Sequence, residues 1–101
     1  MEGFINYLQR EKMQSLGQAQ TLANDNRQDE AIMAKIRANV FGIFETTAKG
    51  GHNVQKLLEV IPKPWEESLE QAKATNDHIK ITQEQIKLQA IAEIKAFLAK
   101  E

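Results

Sequence analysis

The stretch from Asn24 to Gly51, NDNRQDEAIMAKIRANVFGIFETTAKGG, decides the fold class. Asn24-Asp25-Asn26 carries turn and N-cap chemistry, since short side-chain oxygens accept bonds from the unpaired amides of a following helix. Asp29 and Glu30 come next, suited to the positive end of a helix dipole. Ile32, Met33, Ile36, Val40, Phe41, Ile43 and Phe44 then recur at helical spacing and cover close to half of the wheel. Gly50-Gly51 supplies a stop, because glycine takes the left-handed C-cap conformation without steric cost. The reading is a helix over residues 27–49. Its apolar arc is wider than a surface helix needs, which makes it central or places it, through Phe41, against a second chain.

Toward the N-terminus, Ile5, Leu8, Leu16, Ala19, Leu22 and Ala23 repeat at three- and four-residue steps and predict a helix over 3–23. Toward the C-terminus, Val54, Leu57, Leu58 and Ile61 predict a short helix that Pro62-Lys63-Pro64 stops. Pro64 suits the first position of a new helix, whose stripe is Trp65, Leu69 and Ala72. Asn76-Asp77 marks the next turn. A last helix is expected over 78–100, with Thr82 and Gln85 as a capping box that can delay its regular start. Ile86, Ala90, Ile91, Ile94, Phe97 and Leu98 form its main face, and Ile81, Leu88 and Ala92 a second stripe. The fold class is all-α: an antiparallel bundle of about four helices, in two αα-hairpins, with a short irregular or helical middle segment. Leu22-Ala23-Asn24-Asp25 before Ile36-Arg37 echoes Ala74-Thr75-Asn76-Asp77 before Ile86-Lys87, but the two spacings differ by two residues, so a repeat needs a gap.

Bulk composition narrows the classes of function. At 101 residues the chain has the size of one domain, and a hydrophobic share of 42% suffices for a core. A net charge of −1 argues against generic nucleic-acid binding, which draws on a basic excess. Cysteine is absent, which removes disulfides, thiolate metal sites and cysteine nucleophiles. Mean hydropathy of −0.49, no span of about 20 apolar residues and no basic-then-apolar start point to a soluble, cytoplasmic protein without membrane contact.

No stretch carries a chemical signature beyond the needs of packing. His52 and His78 fall at turns without the Glu-x-x-His spacing of di-iron bundles, so no metal and no cofactor is expected. Glu66, Glu67 and Glu70 are explained by a helix start, and Ser15 and Ser68 lie in helices with no nucleophile elbow around them. The Trp-x-Gly of small secreted hairpin proteins is missing, because Glu66 and Glu67 follow Trp65. Arg37 and Lys87 are the notable charges: each falls inside an apolar arc, as a snorkelling stem, an ion pair or the anchor of a ligand. Trp65 plugs a bundle end or anchors an interface. With Phe41, Ile81 and Leu88 it completes the candidate interface. The function expected is a small non-enzymatic helical protein–protein interaction or self-associating module, its partner a second copy or another protein. The alternative is a small-molecule or anion binder built around Arg37 and Lys87, and a nucleic-acid-associated regulator comes third.

Overall fold

A computed structural model of the chain describes residues 2–100. It contains five helices: α1 (Glu2–Asn24), α2 (Gln28–Lys49), α3 (Val54–Val60), α4 (Pro62–Ala74) and α5 (His78–Lys100). There is no strand among the described residues, and the all-α reading holds. Contacts divide the chain into two compact units, Met1–His52 and Asn53–Glu101. The first is the hairpin α1–α2; in the second, α4 packs on α5 and α3 leads into α4.

In the first hairpin α1 turns Phe4, Leu8, Ser15 and Ala19 inward against Ala31, Ala38, Val40, Phe41 and Phe44 of α2. Phe41 has no exposed surface: the edge of Tyr7 meets its face at 75° with centroids 6.0 Å apart, and the Arg37 guanidinium lies 4.6 Å from its centroid. Such aromatic contacts add to the stabilisation from area alone. Two expectations shift here. Phe4 joins the interior, and Leu16, counted on the apolar stripe, is 43% exposed.

The turns explain where the helices end. Asn26 takes a left-handed φ of +61°, its amide bonds back to Ala23 O and the Arg27 amide to Leu22 O, closing α1 in a Schellman motif. Asn26 therefore stops α1 and does not cap α2; the cap position is Arg27, which offers no side-chain bond and pairs instead with Glu30. Asn76, at φ +56°, closes α4 in the same way, with Asn76 N bonded to Lys73 O and Asp77 N to Ala72 O. Gly51, at φ +73°, ends α2 by the same pair of bonds, to Ala48 O and from His52 to Thr47 O.

The proline break is shorter than expected. Ile61 keeps helical angles, and Pro62 already stands at the first position of α4, so only one residue interrupts α3 and α4. Pro62 has no N–H to give to Leu58 O, which is enough to break the ladder there. Asn53 caps α3 by accepting from Lys56 N at 3.1 Å. Asp77 caps α5 by accepting from Lys80 N at 3.1 Å, so that helix starts at His78 and the expected Thr82–Gln85 box is not used. Thr82 instead bonds back to His78 O. Asp77→Ala should lower stability by about 1 kcal/mol, read as a shift of the urea midpoint, whereas Thr82→Ala should leave it nearly unchanged.

A common plan relates the two units. Aligning the left-handed Asn26 with Asn76 sets a shift of 50 residues, and no gap is then needed. Under that shift the buried Phe4, Leu8, Val40, Phe41 and Phe44 fall on the buried Val54, Leu58, Ala90, Ile91 and Ile94. Arg37 falls on Lys87.

Candidate functional site

The two basic residues singled out by the sequence are each held by a carboxylate of their own hairpin. Arg37 donates from Nη1 to Ser15 Oγ at 2.8 Å and from Nη2 to Glu11 Oε1 at 3.2 Å, bridging α2 to α1. This explains why Ser15, 1% exposed, is tolerated in the interior: a buried hydroxyl requires a partner. A polar cleft of about 190 Å³ opens beside it, lined by Glu11, Gln14, Ser15, Gln18 and Arg37. Glu11 cancels the charge that an anion would seek there. Lys87 donates to Glu84 Oε1 at 3.1 Å, one turn away on α5, and its ammonium lies 5.4 Å from the Trp65 ring centroid. Glu84 is 3% exposed, and its second oxygen, Oε2, has no hydrogen-bond partner among the described residues.

A third polar centre was not legible beforehand. Glu45 on α2 is 5% exposed and receives Lys12 of α1 on Oε1 at 2.5 Å and Lys49 on Oε2 at 2.7 Å. The hydrogen bonds from the two ammonium groups pull its carboxyl down to about 2, against the opposing effect of burial. Its main partner lies 33 positions away in the chain, so no local pattern announces the pair. No group of three or more acidic or histidine side chains among the described residues is placed to hold a metal ion.

The candidate interface residues separate. Phe41 is enclosed by its own chain and offers no surface to another, which corrects that assignment. Trp65, Ile81 and Leu88 are half-buried, and Ala92 is exposed. Exposed apolar surface lies elsewhere. Met13 is 64%, Leu16 43%, Ile32 46% and Ile43 38% exposed on the first hairpin, and Val60 49% and Ile79 69% in the second unit. Leu16 and Ile43 border an open groove of about 640 Å³ between α1 and α2, with Ala38, Asn39, Gly42 and Thr46 in its lining and Lys12 at its side.

Under the 50-residue shift Met13, Leu16 and Ile43 correspond to Lys63, Glu66 and Glu93 of the second unit. The plan thus accepts charges at all three positions. The sequence missed the site because Leu16 and Ile43 belong to apolar arcs, and periodicity does not say which edge of an arc a neighbour covers.

Compared with protein-family models, curated proteins and solved structures, the chain matches none. No helix among the described residues is long and apolar enough to cross a membrane.

Proposed function

We propose that the chain is a small non-enzymatic helical protein–protein interaction module whose contact face is the α1–α2 groove. One observation carries the reading. Met13, Leu16 and Ile43 expose apolar surface at positions where the equivalent turns of the second unit carry Lys63, Glu66 and Glu93. Scattered apolar residues on a surface need no explanation, but Leu16 and Ile43 line one groove together with Ala38 and Gly42. An uncovered face of this kind lowers solubility, and a partner that covers it recovers about 25 cal/mol for each Å² of apolar area removed from water.

The ion pairs support a binding role over a chemical one. Arg37, Lys87 and Glu45 are engaged with partners inside their own hairpins, where they orient helices and present no reactive group to a substrate. A photo-crosslinking side chain in place of Leu16 tests the face in cells of the source organism. Covalent protein adducts are expected there, and they should vanish when Ile43→Glu is added. An absence of adducts at Leu16 would overturn the proposal.

The second unit also supplies the control. The triple variant Met13→Lys, Leu16→Glu, Ile43→Glu gives the first hairpin the residues the second already carries. Its stability should change by only about 0.5 kcal/mol per site, because exposed positions contribute little. Its circular dichroism should match that of the parent while the adducts are lost.

A further inference from the structure

We infer that the polar cleft beside Arg37 is a binding site for a small zwitterion, a free α-amino acid with a polar side chain. It is separate from the proposed contact face, since none of its lining residues borders the α1–α2 groove. The second unit shows that the plan does not need it. Under the 50-residue shift Ser15 falls on Trp65 and Glu11 on Ile61, as Arg37 falls on Lys87. The contact is kept while its chemistry changes: Arg37 bonds Ser15 Oγ at 2.8 Å, and the Lys87 ammonium lies 5.4 Å from the Trp65 ring centroid. One unit thus carries an indole where the other carries a hydroxyl. Apolar filling in place of a buried ion pair is often neutral or stabilising. Packing therefore does not account for a cleft of about 190 Å³ whose lining among the described residues is polar throughout.

The lining selects the occupant. Ser15 accepts from Arg37 but, 1% exposed, gives its own proton to no group among the described residues, and a buried donor in this state calls for an acceptor. The Arg37 guanidinium beside it favours a charged one, a carboxylate. Glu11 holds Arg37 through Oε1, and no group among the described residues bonds its Oε2, which calls for a donor. A lone anion would face Glu11 and a lone cation Arg37, each against its own sign. A molecule with both a carboxylate and an ammonium satisfies the two together, and an α-amino acid carries them on one carbon. Gln14 and Gln18, one turn apart on α1 at the same cleft, both donate and accept, which suits a polar side chain. The volume limits the size, being below the roughly 300–1,000 Å³ of sites for drug-sized ligands.

Thermal unfolding of the full chain with serine, threonine, asparagine or glutamine is the test. At about 10 mM, an amino acid bound with a Kd of about 1 mM raises the midpoint by about 5–10 °C. At least one of the four should do so. Its des-amino acid and its amide, each lacking one of the two charges, should not. Ser15→Trp installs the second unit's residue and should abolish the rise. Glu11→Gln keeps the shape of the cleft and should reverse the preference, so that the des-amino acid, no longer facing a like charge, raises the midpoint more than the amino acid does. That reversal keeps the test decisive if the indole at position 15 prevents folding, and a purely structural role for Glu11 would not produce it. No rise with any of the four, an equal rise with the des-amino acid or the amide, or an unchanged preference in Glu11→Gln would overturn the site. Each of these results leaves the α1–α2 contact face untouched.

Discussion

Lys87→Met should lower stability by about 3–5 kcal/mol at neutral pH, the cost of leaving a buried charge without its partner. Glu84 is 3% exposed and its Oε2 lacks a bond, so among the described residues Lys87 is the cation that compensates its charge. Methionine keeps the packed stem of the side chain and removes only the ammonium, together with its contact to the Trp65 ring. The reverse change should be mild. Lys87 retains 27% side-chain exposure and reaches water once Glu84 is gone. Glu84→Met should therefore cost less than about 1 kcal/mol, and the double variant should match or exceed the parent, as replaced buried ion pairs often do. The second hairpin's counterpart supports this, since Ala34 stands at the equivalent position in the first. Urea midpoints of the four proteins form the cycle. A Lys87→Met loss no larger than the Glu84→Met loss would show that the carboxylate is not held away from water.

What the sequence made legible follows from how local each signal is. The helices were readable from apolar periodicity, and their ends from Gly50-Gly51, Pro62 and the two Asn-Asp turns. The role of Asn26 was not, because an asparagine between helices serves equally as a cap or as a left-handed stop, and the choice lies in the bonds from Arg27 and Asn26 to α1. The same ambiguity hid the repeat. Counting from the start of the turn motif gave two different spacings, whereas the left-handed residue of each turn restores one. Arg37 and Lys87 stood out because a charge within an apolar arc conflicts with the pattern around it. Lys87 finds its partner three residues away, while Glu11 lies 26 positions from Arg37 and only tertiary packing joins them. Glu45 and Glu84 were passed over because a glutamate on a helix reads as solvated until its neighbours are known. Phe41 and Leu16 exchanged roles for a related reason. Both lie on apolar arcs, and the position of the facing helix decides which is enclosed and which remains at the edge.

The acid limb of the stability curve should belong largely to Glu45. Its carboxyl is drawn from the ordinary 4.5 to about 2 by hydrogen bonds from Lys12 first and Lys49 second. Above about 4.5 the group is ionised whether the chain is folded or not, and the folded form holds the full benefit of the pairing. As pH falls through that value the unfolded chain takes up the proton first, so stability declines and the contribution is gone near 2. The interval corresponds to at most about 3 kcal/mol, and solvent screening removes part of it because Lys12 and Lys49 keep 31% and 51% side-chain exposure. Glu45→Gln preserves the shape and lacks the charge. It strands no cation, since Lys12 and Lys49 keep 31% and 51% side-chain exposure. The variant should be about 1–3 kcal/mol less stable than the parent at pH 7, and the two urea midpoints should converge between pH 4.5 and 2. Because Lys12 reaches Glu45 from α1 across the hairpin, the quantity that disappears on acidification is one of the polar links between α1 and α2. Two curves that stay parallel down to pH 2 would mean that the pair contributes nothing to joining the hairpin, leaving the apolar stripe and the Arg37 bridge to Ser15 and Glu11 to hold it.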